Sequence, residues 1–452
     1  VTTAATATGP TTSGPTSQSA GATRLVRTLT LTVFLQWMGA TAIVPMLPVY
    51  VRHLGGSDAL AGVVMAAFYA AGVVSQYPVG RITDRIGRRP VLVAGLITYA
   101  AATLSFLLPI SADVAIALRA AQGVGAGAAT VAALAMISGS VATERRGRAF
   151  AAVYSGELAG MAVGPLVGSI LGIRYMSAMF LASGLLSLVA CVPALRLREH
   201  GDVARARRDR TRPDGSLVPL GKVRFRPSMT GALLCGAALG LATGVYDICW
   251  TLLLLARGAS GLEIGISWTL FAVPFVAAAK PSGWLADHTD RRVLVLCGLG
   301  LSTVLCASYP FIHSVPILIA LGASEAIGFA TAMPSLQSLL TQGSAGSEVG
   351  RIQGMFATSQ TAATAVSAAA AGAAFAVAAW LPFVTVAGIV LVSLGTAAFI
   401  WRPVAGRLAH GPVETLPADG PGVVPPADGP GVVPPATQAV APEPVGVSAE
   451  VQ

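Results

Sequence analysis

Twelve apolar runs of about twenty residues follow one another along this chain, and no single water-soluble core can bury them all. They lie near 28–51, 59–79, 90–110, 113–137, 150–172, 175–195, 228–255, 263–284, 293–313, 315–340, 352–376 and 380–401. A helix rising 1.5 Å per residue needs roughly 20 apolar residues to cross a hydrocarbon layer about 30 Å thick. Strands of a membrane barrel would instead alternate over about ten residues, and these runs do not. Charged residues make up 11% of the chain, too few to coat a soluble surface, where about 25% is usual. The pattern predicts an all-α integral membrane protein with twelve transmembrane helices.

The net charge of +9 does not point to nucleic acid, because the basic residues sit in short loops between the apolar runs. With the N-terminus placed inside, 24 of the 29 Lys and Arg fall on the inner side and three (Arg52, Arg174 and Arg257) on the outer. That bias predicts a multi-pass protein of the cell membrane with both termini cytoplasmic. The five cysteines lie in apolar runs without metal-ligand spacing and read as small buried residues. Neither a Walker loop nor a hydrolase or zinc-protease motif is present, so neither an enzyme nor a bound cofactor or metal is expected.

Two bundles are expected, at 24–195 and 228–403, joined by a basic cytoplasmic linker at 196–227 that lies close to acidic lipid headgroups. The uncharged Thr/Ser/Ala-rich residues 1–23 and the Pro/Ala/Gly-rich tail at 404–452 are expected to be disordered. The bundles repeat each other. Gly80-Arg81-Ile82-Thr83-Asp84-Arg85-Ile86-Gly87-Arg88-Arg89 matches Gly283-Trp284-Leu285-Ala286-Asp287-His288-Thr289-Asp290-Arg291-Arg292 at an offset of 203. The same offset carries Gly147-Arg148 onto Gly350-Arg351. Parallel six-helix repeats suit a carrier that rocks one half against the other around a central site.

The first of these loops resembles motif A of the major facilitator superfamily. Leu118 to Gly127, with Arg119, Gln122, Gly123 and Gly125, resembles its motif B. Gly160-Met161-Ala162-Val163-Gly164-Pro165-Leu166-Val167-Gly168 is similar to motif C, the antiporter signature, with Ser169 in place of the last Gly. Gly39 to Tyr50 is similar to the helix 1 motif of twelve-helix drug:proton antiporters. The resemblance covers about 24–403 and implies proton-driven efflux of drug-like molecules by alternating access. It also implies a conformational latch at motif A, for which Gly80, Asp84, Arg85, Gly87, Arg88 and Asp287 are the candidates. Glycines of motif C act through the backbone: Gly160, Gly164 and Gly168 allow close packing, and Pro165 permits a bend.

Ionisable residues inside the spans are costly and are therefore candidates for proton coupling. Arg119 lies about 9 Å from the outer end of span 4, and the motif B resemblance links it to proton transfer. Glu157 lies roughly 10 Å into span 5 on a protein-facing side, and Glu325 about 15 Å into span 10, near the midplane. Asp247 is expected nearer the outer face, where gating or solvation competes with coupling, and Lys280 is expected to snorkel. Gln36, Trp37, Tyr69, Gln76, Tyr246 and Trp250 are candidates for a cavity wall. The expected partners are a small-molecule substrate, protons and membrane lipid, without nucleic acid, and the chain is expected to be monomeric. An uptake symporter for a small metabolite and a non-transporting membrane sensor are the alternatives. In a cysteine-free background, single cysteines placed at Arg88 and Arg291 are expected to be labelled from the same face of the membrane. Labelling from opposite faces would break the duplication.

Overall fold

The computed structural model describes residues 15–141, 143–171, 175–197, 224–344 and 346–402, and these belong to one compact unit within Val1–Ala409. They form twelve long helices: α1 (Pro15–Ile43), α2 (Asp58–Ile86), α3 (Arg88–Leu104), α4 (Ala112–Ser140), α5 (Thr143–Leu171), α6 (Met176–Leu195), α7 (Pro227–Val245), α8 (Gly261–His288), α9 (Arg291–Ser308), α10 (Val315–Thr341), α11 (Gly346–Val377) and α12 (Leu381–Trp401). Ten helical segments among the described residues are long and apolar enough to cross a membrane. Helix α1 begins at Pro15, inside the stretch expected to lack structure. Most of the linker and of the tail lies outside the described residues.

Two helices continue past an interruption. Helix α1 passes through a 3-10 turn at Val44–Met46 into Leu47–His53, and α7 passes through a π-turn at Tyr246–Trp250 into Thr251–Ala256. The breaks fall at matching places under the offset of 203. Pro45 and Pro48 explain the first, because each removes a backbone donor. The second contains no proline, and such π-turns often mark functional sites.

The duplication extends to details of the backbone. Gly55 and Gly258 both adopt a left-handed φ, at 80° and 81°, in the loops that precede α2 and α8. Ser57 and Ser260 then cap those helices, each hydroxyl accepting from a first-turn N–H. Pro78 and Pro281 sit inside the same two helices. In the first half α1 packs on α5 and α6, α4 on α2 and α3, and α3 on α6. Adding six to every helix number reproduces the second half. Between the halves, α2 packs on α11 and α5 on α8, a pair of seams that the same operation exchanges.

Lipid offers no hydrophobic drive for these contacts, so backbones must approach closely for dispersion to hold them. A Cβ on Gly125 would stand 2.7 Å from Gly95 O, and one on Gly328 would stand 2.7 Å from Gly298 O. These are the same α3–α4 and α9–α10 seam in the two halves. Gly156 and the motif C glycines serve the α1–α5 seam: Gly156 faces Thr30 O, Gly160 faces Phe34 O and Gly164 faces Met38 O, at 2.5–2.7 Å from a built Cβ. Gly168 abuts Ala42. In the second half the glycines change sides. Gly240 and Gly244 on α7 meet Gln360 and Thr364 on α11, the counterpart of α5.

One end of the molecule is closed across the halves. Gly62 on α2 lies against Ala368 O, 2.5 Å from a built Cβ, and Gly372 on α11 lies against the backbone of Asp58. Both belong to the end formed by the α1–α2, α7–α8 and α11–α12 loops.

Alanine at Gly125 or Gly328 is expected to lower stability in detergent by about 1–3 kcal/mol, because overpacking outweighs the gain in helix propensity. Alanine at Gly354 or Gly388, where no atom lies within 4 Å of a built Cβ, is expected to leave the thermal midpoint unchanged or raise it. Equal effects at all four sites would contradict the seam.

Candidate functional site: a central cavity between the halves

A cavity of about 310 Å³ lies between the bundles, walled by α1 to α5 from the first half and by α7, α8 and α10 from the second. Nine aromatic rings line it, among them Trp37, Phe68, Tyr69, Trp250, Trp268 and Phe329. Among the described residues, three charged side chains reach its wall: Arg119, Asp247 and Glu325. The lining is therefore apolar with a few convergent polar groups, the usual composition of a small-molecule site.

Arg119 comes from the first half and is 2% exposed. Its Nη1 donates to Gln122 Oε1 at 2.8 Å, one helical turn away, and its Nη2 lies 3.3 Å from Met65 Sδ. The guanidinium stacks over the Phe68 ring at 4.6 Å from the centroid, which adds a cation–π contribution. Gln122 is held in turn by donating to Thr103 Oγ1 at 2.8 Å. Among the described residues Arg119 makes no ion pair within 4 Å, and its Nε has no partner. The charge is dispersed over an amide, a thioether and an aromatic face.

Both carboxylates come from the second half. Glu325 accepts from Tyr246 at 2.8 Å on one oxygen and from Tyr309 at 2.6 Å on the other. Asp247 accepts from Tyr69 at 2.5 Å. That bond joins α2 to the π-turn of α7 and so crosses between the halves beside the cavity. Trp250 on the same turn donates to Ser267 of α8 at 2.9 Å.

The sequence candidates are distributed unevenly over this site. Arg119, Glu325, Trp37, Tyr69, Tyr246 and Trp250 all line the cavity. Asp247 does too, although it was expected nearer the outer face. Helix α7 runs on to Ala256 after the π-turn, so Asp247 is nine residues from the helical end and 5% exposed. Glu157 is half-buried on α5 and is not part of the lining, whereas its neighbour Leu158 is. Gln36 is engaged elsewhere, accepting from Ser187 at 2.6 Å. Gln76 is half-buried outside the lining. Phe68, Tyr99, Trp268, Phe271 and Phe329 escaped sequence reading, because an aromatic residue in an apolar run gives no sign of facing a cavity rather than lipid.

At the motif A loop, Gly87 has φ 103° and forms the turn between α2 and α3. Gly80 lies within α2, which continues to Ile86, and no atom lies within 4 Å of a built Cβ there. The side chains of Asp84, Asp287 and Lys280 lie outside the described residues. Arg85 is exposed and Arg88 half-buried. In the second copy Asp290 stands where Gly87 stands in the first. It caps α9 by accepting from Arg292 N at 2.9 Å and pairs with the Arg292 guanidinium. The guanidinium holds the Asp290 carboxyl below the ordinary carboxylate range. Arg292 also donates to Trp401 O at 3.0 Å, tying this loop to the end of α12.

A family model described as Major Facilitator Superfamily matches residues 29–256 and 232–438. The chain is 27% identical to the class E tetracycline resistance protein of Escherichia coli over 358 residues, covering 76% of this chain and 85% of that one. It is 29% identical to multidrug resistance protein D of Escherichia coli (strain K12) over 275 residues, covering 60% of this chain and 67% of that protein. Among solved structures, a bacterial homologue of the human lysosomal transporter Spinster, in an inward-facing and occupied conformation, superimposes with a TM-score of 0.69. It covers 84% of this chain and 97% of its own at 14% identity, a likeness of fold.

Removing the phenol in Tyr69→Phe deletes the bond to Asp247 without changing the ring. The population closed at the Asp58–Gly372 end is expected to fall roughly two- to tenfold, the worth of a bond of about 0.5–1.5 kcal/mol. Spin-label distances between the α1–α2 and α11–α12 loops would report it. An unchanged distance distribution would show that the bond does not hold the halves.

Proposed function

The chain belongs to the major facilitator superfamily, and we propose that it is a secondary active transporter that exports drug-like amphipathic molecules in exchange for protons. The observation that carries this reading is the aromatic cavity between the halves, where two carboxylates stand without a basic partner within ion-pair distance among the described residues. Aromatic walls stack on flat apolar molecules of varied shape. The tetracycline and multidrug resistance relatives support a substrate of that kind and an outward direction. The motif C glycines, which seat α5 on α1 while α5 also packs on α8 across the halves, support exchange.

The coupling follows from what an unpaired carboxylate does in a water-poor cavity. Its charge is costly there, so it holds either a proton or a positively charged or strongly donating substrate group, but not both. Substrate entering from the cytoplasm displaces the proton. A proton entering from outside, after the halves have rocked, displaces the substrate. Asp247 and Glu325 are the residues for this exchange, and Arg119 sets the field in which they work. Motif A, through Asp84, Arg85 and Arg88, holds the conformation in which the inner end is shut. Both termini are cytoplasmic and the membrane is that of the cell.

Asp247→Asn and Glu325→Gln keep the hydrogen-bonding outline of each site and remove its proton exchange. Efflux of tetracycline or ethidium driven by a pH gradient in proteoliposomes is expected to fall at least tenfold in one or both. Glu157→Gln is expected to stay within about twofold of the unaltered protein. A double Asp247→Asn, Glu325→Gln protein that still pumps at full rate would refute proton coupling through the cavity.

A further inference from the structure

Glu325 borders a second, much smaller cavity of about 20 Å³ inside the second half, between α7, α9, α10 and α12. Tyr246 and Phe329 are shared by both cavities, so these side chains and Glu325 form a partition between them. The chamber has room for one water, which needs roughly 10–15 Å³ of this kind of volume. Its wall also carries Ser302, Thr303 and Cys306 of α9, facing aliphatic side chains of α12. Ser302 and Thr303 spend their protons on carbonyls of their own helix, Gly298 O at 3.2 Å and Leu299 O at 2.7 Å, which leaves oxygen lone pairs for a guest.

The first half supplies an internal control. Under the offset of 203, Ser302, Thr303, Cys306, Tyr309 and Glu325 stand where Tyr99, Ala100, Thr103, Phe106 and Gln122 stand. There Gln122 donates directly to Thr103, and a tyrosine replaces the first hydroxyl of the chamber. In the second half the amide has become a carboxylate turned to two tyrosines, and α9 lines the gap with two hydroxyl-bearing side chains in an otherwise mostly apolar wall. A smaller residue, an added hydroxyl and an acid have changed together around one gap.

We infer that this chamber holds a single ordered water and passes protons to Glu325 from the side away from the substrate. The inference rests on the exporter reading above and gives the proton a route of its own. An excess proton on the water is transferred to a carboxylate oxygen, one O–H bond forming as another breaks, and neutral water remains. The reverse step discharges the acid. The groups facing Glu325 are Tyr246 from α7, Tyr309 at the end of α9 and Cys306 beside Tyr246, with Asp247 and Arg119 elsewhere on the wall of the larger cavity. No basic side chain among the described residues pairs with it. A substrate occupying the large cavity therefore need not leave before the proton moves.

The Ser302→Ala, Thr303→Val double variant keeps the volume nearly constant and removes both hydroxyls from the α9 wall, and a water in a cavity this small needs two to four polar partners to stay. In proteoliposomes holding the full chain, pH-gradient-driven efflux of tetracycline and ethidium is expected to fall at least tenfold. Substrate counterflow, which needs no net proton movement, and the dissociation constants of both probes are expected to stay within twofold. Thr303→Ser, which keeps the hydroxyl, is expected to transport normally. Gradient-driven efflux at the unaltered rate in the double variant overturns the inference, and so does an equal loss of counterflow, which would mark a packing role. If the unaltered protein moves neither probe with the gradient, the exporter reading fails first and the inference goes with it.

Discussion

In a hydrocarbon layer, water neither drives helices together nor satisfies a stray polar group, and the architecture of this chain follows from those two conditions. The first is met by backbone contact at glycine. The α3–α4 seam at Gly95 and Gly125 recurs as α9–α10 at Gly298 and Gly328, and the α1–α5 seam recurs as α7–α11. The two occurrences of the latter place their glycines on opposite partners. What the fold requires is thus a close approach between two particular helices, and either helix can supply it. Such seams resist separation along the helix pair yet tolerate sliding, because few side chains interlock across them. That combination suits halves that must move as units.

The second condition governs the charges. Arg119 is accommodated by one hydrogen bond to Gln122, a sulfur and an aromatic face, each of which polarises toward a cation without neutralising it. Glu325 is accommodated by two phenols and Asp247 by one. Had Arg119 been clamped between the two acids, the cavity would be electrically quiet and hard to perturb. Hydrogen-bonded but unpaired, the three groups stay responsive to whatever charge enters the space between them.

Much of this was legible in the sequence for a physical reason. Crossing a membrane demands length and apolarity, and both are properties of residue runs, so the helices could be counted. A duplication leaves a constant offset, and Gly55 with Gly258, Ser57 with Ser260 and Pro78 with Pro281 show how finely it persists in the backbone. Direction was harder to read. Asp247 was expected nearer the outer face, where solvation competes with coupling, and its burial against Tyr69 belongs to a π-turn that has no proline to announce it. Glu157 is half-buried, in keeping with a protein-facing side, yet stands outside the cavity lining, because a helical wheel fixes an angle only relative to neighbours whose positions are unknown. Tyr309, one of the two phenols on Glu325, lies in a 3-10 turn at the far end of α9, sixteen residues away in sequence, and no local pattern links the two.

The halves also show where a symmetric scaffold departs from symmetry. Packing residues repeat under the offset, whereas the residues around the cavity do not: Arg119 answers to Gly322, Gln122 to Glu325 and Asp247 to Val44. Two identical halves would face each other with identical charges and would repel across the cavity unless those charges were neutralised. Placing the cation in the first half and both acids in the second removes that repulsion and gives the cavity a direction, with an attractive end for each sign of charge. Packing symmetry lets the two seams between the halves, α2 on α11 and α5 on α8, form by equivalent contacts. Chemical asymmetry makes the closures inequivalent once a proton or a substrate is bound, because the ligand interacts unequally with the two halves. A cycle with a preferred direction needs both features, since equal binding to both conformations would shift neither of them.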